Sequence, residues 1–382
     1  MTRPSTPYRV NVLGAGVSGL STALSLLEKD PSRYSVKVIS THLPGEFHVD
    51  YTSPWAGAHW RSYADIADKE QQALDAATYK RFVHLADNEP EAGIMYVTGY
   101  DYWEIKPKNF VDPWFNTLLK GYRYLNKDEL PQGIQFGTTY ITVTMNAPKY
   151  LQFLQKKFLA LGGMLERATL ASLKELARYP HDTQGNRPDI IVNCSGLGSR
   201  NLLGVHDHQM FPMRGQIVIV KVPDEIWPKA KQFTMERYAE GASMGTGTVT
   251  YVIPRDNGEI VLGGTMDRWS YAEAPEEETT KAIVQRVLAT RPDLFKDATI
   301  LRSCVGLRPN RHGGIRVTAS VEQLDWNEGW DNPVAVVAHN YGHAGFGYQA
   351  SYGCAQKTVA NIEQSLQGLE QAHKTVRTMS KL

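Results

Sequence analysis

The stretch Tyr8-Arg9-Val10-Asn11-Val12-Leu13-Gly14-Ala15-Gly16-Val17-Ser18-Gly19 sets the fold. Tyr8 to Leu13 reads as a strand, and Gly14, Gly16 and Gly19 follow it as G-x-G-x-x-G. A helix opens inside that turn. It runs from about Val17 to Lys29, with Val17, Leu20, Leu24 and Leu27 on one face. Pro31 ends it, and Ser35 to Ser40 supplies the second strand of a β-α-β unit. Each glycine has its own task. The first permits a tight turn, the second lets a pyrophosphate approach the backbone, and the third lets helix and strand pack closely. The helix N-terminus, with its unpaired N–H groups, favours the anion. An α/β protein with a Rossmann-like dinucleotide-binding domain follows.

The second strand departs from the simplest nicotinamide-binding pattern, in which it ends on an acid that holds the ribose hydroxyls. Here it ends Ile39-Ser40-Thr41-His42, with no carboxylate in place. Glu46, Asp50 or the small hydroxyls are the candidates to take over that contact. NAD(P) and FAD both remain open at this point.

Farther along, Asp68 to Leu85 reads as an amphipathic helix. Residues 95–145, aromatic and β-branched with Pro, Gly and Asn punctuation, read as strands and loops of a second lobe. Asn146-Ala147-Pro148 caps a helix that runs to Gly162-Gly163. A short strand, Asp189 to Asn193, leads into Cys194-Ser195-Gly196-Leu197-Gly198. Then the pattern turns to β: Gly215 to Val222, and a hairpin of Val249–Pro254 and Glu259–Leu262 around Asn257-Gly258. A helix from Glu277 to Thr290, a buried-type strand from Val334 to His339 and a long C-terminal helix complete the chain. Nucleotide-fold signals at the start, middle and end imply two discontinuous domains. The expected division is 7–90, 146–208 and 309–375 for the nucleotide-binding domain, with 91–145 and 209–308 for a mainly antiparallel β substrate domain. Residues 376–382 form a tail.

Composition narrows the function classes. Hydrophobic residues make up 42% of 382, enough for a sizeable core, and a formal charge of +1 gives no footprint for nucleic acid or an acidic membrane. No apolar run is long enough to span a bilayer. The three cysteines, Cys194, Cys304 and Cys354, form no C-x-x-C pair and no metal-spaced cluster with histidine. No metal is expected, and a reducing compartment fits them better than a disulfide scaffold. The terminal Ser380-Lys381-Leu382 reads as an address for the peroxisomal import receptor, hence the peroxisome matrix.

Several later blocks resemble the D-amino-acid oxidase family, especially its fungal members. They are Ser53-Pro54-Trp55-Ala56-Gly57-Ala58-His59-Trp60, Val192 to Gly198, Tyr251-Val252-Ile253-Pro254, Val305-Gly306-Leu307-Arg308-Pro309 and His339 to Gly347. They keep the family's order from residue 8 to 382. The resemblance implies non-covalent FAD and oxidative deamination. A D-amino acid gives its α-hydrogen as hydride to flavin N5, the imino acid hydrolyses to a 2-oxo acid and ammonia, and O2 is reduced to hydrogen peroxide. It also implies a homodimer. The cofactor contacts carried over are Gly14, Ala15, Gly16, Val17, Ser18, Gly19, Ser40, Thr41, Ser53, Ala56, Gly57, Ala58, Leu170, Cys194, Ser195, Gly196, Ala344, Gly347, Tyr348 and Gln349.

By the same resemblance Arg308 binds the substrate α-carboxylate, a task suited to a planar, permanently charged, bidentate donor. Tyr251 helps orient that carboxylate, and Gly345 offers a backbone carbonyl to the amine. No side chain is needed as a base, because catalysis comes from positioning. His343 and His59 are therefore not expected to be catalytic. Met235 and Met266 fall where D-aspartate oxidases carry extra arginines, and Tyr63 is a further candidate for the pocket. Methionine walls predict neutral, mainly apolar D-amino acids. The rival readings are a D-aspartate oxidase, a related oxidase of glycine, sarcosine or L-amino acids, and a flavin binder without chemistry.

Overall fold

The computed structural model describes residues 6–240, 249–323 and 334–379, so the Ser380-Lys381-Leu382 call lies outside the described residues. Two sheets build the molecule. The first runs in the order Arg316–Gln323, Val334–Tyr341, Ile190–Asn193, Tyr8–Leu13, Tyr34–Ser40, Met164–Arg167. All its pairings are parallel except that of Arg316–Gln323 with Val334–Tyr341.

Strand alternation decides which residues face which layer. Val10, Val12, Val36, Val38, Ile190 and Val192 point into a core shared with Leu20, Leu24, Leu151 and Ile362. That layer holds the helices Val17–Lys29, Ala147–Ala160 and Ser351–Met379. Leu13, Ile39, Ile191 and Val337 point the other way, onto the short helix Leu173–Arg178. Both faces of the sheet are covered, as a parallel sheet requires. The N-cap call at Asn146 is borne out: its side chain accepts from the Lys149 N–H, with Pro in the first turn.

The second sheet is mainly antiparallel. Its order is Asp267–Arg268, Met210–Lys221, Ile260–Gly263, Val249–Pro254, Phe233–Tyr238, Ile94–Trp103, Phe136–Met145, Arg123–Tyr124, with Thr299–Arg311 also paired to Met210–Lys221. One face packs on the helix Glu277–Thr290 through Val218, Val220, Val252, Leu262, Ile283 and Val287. The other carries Ile217, Ile253, Tyr251 and Cys304. This second face closes over the nucleotide turn and makes the roof of the site. Strand Met210–Lys221 begins five residues before the expected Gly215, and strand Arg316–Gln323 was not anticipated.

Candidate active site

A cavity of about 1110 Å³ runs from the glycine turn to the second sheet. At its nucleotide end it is lined by Gly14, Ala15, Gly16, Val17 and Ser18, then Ser40, Thr41 and Leu170. The third glycine stands behind this wall, not in it. A Cβ at Gly19 would sit 1.8 Å from the Gly14 carbonyl oxygen, so its absence lets helix meet strand. Gly14 has φ +106°, open to glycine at little cost.

The middle is lined by Ser53, Ala56, Gly57, Ala58, Cys194, Ser195 and Gly196, and by Ala344, Gly347, Tyr348 and Gln349. Arg255, one residue beyond the active-site strand, holds this part. It is 1% exposed and donates to the carbonyls of Ala56 (2.9 Å) and Gly57 (3.0 Å) while paired with Glu259 at 3.0 Å. The turn Asn257-Gly258 brings Glu259 back to it. Sequence reasoning missed this clamp.

At the far end Arg308, Tyr251, Gly345, Met266 and Tyr63 line the cavity together. Arg308 donates from Nη1 to the Thr265 carbonyl at 3.0 Å, and its Nη2 lies 3.5 Å from the Tyr251 hydroxyl. Met235 requires a correction. It is 1% exposed within the core against Glu277–Thr290 and does not line the cavity. In the antiparallel register Met235 faces Val252, whereas Glu236 faces Tyr251. Facing residues share a side of the sheet, so the neighbour Glu236, not Met235, looks into the cavity.

Glu236 was not foreseen. It is 2% exposed and accepts hydrogen bonds from Tyr63 Oη, Tyr238 Oη and His59 Nε2, the last at 3.0 Å. Burial pushes its carboxyl up, but Arg61, His59 and Tyr238 outweigh burial and hold it down at about 2. Arg61 stands behind, 3.0 Å from Asp101 and 3.4 Å from Glu236.

His343 is buried against the cavity, 3.4 Å from Ser18 Oγ through Nδ1. Burial pulls its imidazole down to about 4, so the ring is neutral. Of the ribose-acid candidates, Asp50 lines the cavity, while Glu46 is engaged by Arg167 and the Leu43 N–H. The three cysteines are buried and unpaired. Among the described residues, no His/Cys/Asp/Glu group could hold a metal and no helix is long and apolar enough to cross a membrane.

These residues fit a flavin dinucleotide. The N-cap Gly16 of the helix after the glycine turn has no side chain to cap it; the Val17 N–H donates to Ser53 Oγ at 3.1 Å, and the other first-turn N–H groups favour an anion. Among the described residues, His343 Nε2 and Asn310 Oδ1 are buried with no hydrogen-bond partner, and both residues line the cavity. Unpaired buried polar atoms are costly and point to a polar ligand. A Cβ on Gly57 would collide with Ile253 Cδ1 at 2.4 Å, which leaves this loop no freedom to thicken beside the ligand.

The fold and the site define a flavin-binding oxidoreductase, and the comparisons agree. The chain belongs to the FAD dependent oxidoreductase family, whose sequence model matches residues 9–361. It is 35% identical to a D-amino-acid oxidase of Schizosaccharomyces pombe, covering 94% of this chain and 97% of that one. It is 33% identical to a D-amino-acid oxidase of Fusarium vanettenii, covering 92% and 96%. A D-aspartate oxidase of Talaromyces thermophilus is 31% identical over 93% and 95%. Among solved structures, the glycine oxidase of Geobacillus kaustophilus superposes with a TM-score of 0.70 at 15% identity over 94% and 96%, a likeness of fold.

Proposed function

We propose that this chain oxidises D-amino acids with uncharged side chains to 2-oxo acids, ammonia and hydrogen peroxide. The observation that carries the reading is the Arg308–Tyr251 pair at the end of a dinucleotide cavity. Bound FAD supplies the acceptor for the α-hydrogen and passes the two electrons to dioxygen. The protein's own part is positioning. Arg308 grips the α-carboxylate with charge-assisted hydrogen bonds, and Tyr251 donates a further one. The Gly345 carbonyl accepts from the amine, and the absent Cβ keeps the approach close. Holding the α-carbon in one pose replaces a chance encounter with an oriented one. No buried side chain is assigned a proton transfer, and a neutral His343 fits a cofactor contact better than a base.

The side-chain preference rests on Met266 and on Glu236. A substrate carboxylate beside the ionised Glu236 meets a like charge in a poorly solvated place, which is costly. The D-aspartate oxidase reading is disfavoured on that ground. The reading is tested by supplying D-alanine, D-methionine and D-aspartate to the purified flavoprotein and measuring peroxide. Turnover confined to D-aspartate would overturn it. We also propose that Ser380-Lys381-Leu382 directs the chain to peroxisomes. Deleting the three residues should leave a fluorescent fusion outside those organelles, and unchanged import would refute the address.

A further inference from the structure

Asp101, Arg61, Glu236 and His59 form a buried chain of polar groups beside the substrate end of the cavity. Asp101 accepts from Arg61 Nε at 3.0 and 3.1 Å and from the Tyr140 hydroxyl at 3.1 Å. Arg61 then reaches Glu236 at 3.4 Å, and Glu236 accepts from His59 Nε2 at 3.0 Å. The far nitrogen of His59 meets a second acceptor. The Thr234 hydroxyl proton is donated to the Val252 carbonyl at 2.7 Å, leaving only lone pairs for His59 Nδ1 at 2.9 Å. Both ring nitrogens therefore face acceptor oxygens.

What this wall shows the cavity is determined by where its protons go. His59, Tyr63, Glu236 and Tyr238 line the cavity, whereas Arg61 and Asp101 do not. Tyr63 and Tyr238 both give their hydroxyl protons to Glu236. His59 turns both ring nitrogens to Glu236 and Thr234. Every polar hydrogen on this wall is thus committed inward, and only oxygen lone pairs remain to face a ligand. Glu236 is also the cross-strand partner of Tyr251, so the wall begins one strand away from the carboxylate-binding pair. Glu236 lies on the side of Tyr251 away from Arg308.

We propose that Tyr63, Glu236 and Tyr238 form an acceptor-only subsite that selects D-amino acids whose neutral side chains end in an N–H donor. This rests on the D-amino-acid oxidase reading and deepens it. A terminal amide finds the two phenol oxygens to bond, held in place by the Glu236 carboxylate that takes their protons. A thioether or alkyl end leaves those acceptors unpaired and dry. A carboxylate end meets no side-chain donor on this wall, since the nearby Arg61 is held between Asp101 and Glu236 behind it. A site built for a hydrogen bond discriminates strongly against the analogue that lacks it.

The test compares kcat/KM for D-glutamine, D-methionine and D-glutamate, three unbranched substrates of similar length, on the FAD-loaded enzyme. D-glutamine should exceed D-methionine by about tenfold and D-glutamate by about a hundredfold. In Glu236→Gln, which brings an amide donor into the wall, the D-glutamine to D-glutamate ratio should fall at least tenfold. A wild-type preference for D-methionine over D-glutamine would overturn the subsite. So would a ratio unmoved in a Glu236→Gln protein that still binds flavin. The wild-type ratios decide the question even where the variant fails to fold. An enzyme inert to D-alanine and D-methionine as well as D-glutamine would instead refute the D-amino-acid oxidase reading, and this subsite with it.

Discussion

Arg308 Nη2 lies 3.5 Å from the Tyr251 hydroxyl although two strands separate theirs in the sheet. A glycine on each intervening strand makes the meeting possible. A Cβ at Gly263 would stand 1.9 Å from Tyr251 Cζ, and one at Gly215 would stand 2.1 Å from Arg308 Nη1. Ring and guanidinium lie flat in a trough where side chains are missing, which fixes both polar ends without a loop.

Gly215→Ala should therefore disturb catalysis while leaving the cofactor site untouched. The added methyl must push the guanidinium aside, and a displacement near 1 Å costs on the order of a hundredfold in rate. Steady-state kinetics should show kcat/KM reduced roughly ten- to a hundredfold, with flavin absorbance per protein unchanged. Wild-type kinetics in this variant would remove the trough from the account.

Arg308→Ala removes one partner of a desolvated charge pair. Losses of about 2–5 kcal/mol are typical, equivalent to roughly thirty- to several-thousand-fold in kcat/KM. Flavin should stay bound. Arg308→Lys should recover only part of the loss, because an ammonium cannot reproduce the planar fork.

Arg255 acts at a distance from the substrate. Arg255→Met deletes the bonds to the Ala56 and Gly57 carbonyls and frees the loop between the two sheets. The expected cost is about 3 kcal/mol of stability, since buried charged hydrogen bonds are lost together. Thermal melting and flavin retained after gel filtration both check it.

Much of this architecture was legible before the structure. Gly14, Gly16 and Gly19, the Asn146 cap and the Asn257-Gly258 turn are local signals, each written within a few residues. Glu236 was not legible for a different reason. Whether residue 235 or 236 enters the cavity depends on strand register, and a slip of one residue exchanges the faces. A pairing with Tyr251, fifteen residues on, decides it. The Asp101–Arg61 pair joins elements 40 residues apart, and no periodicity announces it. Arg308 and Tyr251 were assigned through family resemblance, since strand residues by themselves look like any polar and aromatic pair.

Acid stability should carry the mark of buried histidines. His181 is 1% exposed, its nitrogens each 2.8 Å from Asn11 Oδ1 and Ser35 Oγ, and burial pulls it from 6.5 to about 4. Below pH 6.5 the unfolded chain takes up a proton that the folded one refuses until about pH 4. Stability is thus fully present above that window and falls as pH drops through it, by about 3 kcal/mol for this ring. Melting temperature against pH should fall between 6.5 and 4. His181→Asn should flatten the slope while lowering the plateau.

The most direct measurement of the central claim is hydrogen peroxide formation by the purified yellow protein with paired enantiomers of alanine, methionine and glutamine. The D-forms should yield peroxide together with stoichiometric ammonia and 2-oxo acid, and the L-forms should yield none. Peroxide from the L-forms alone, or a colourless protein, would contradict it.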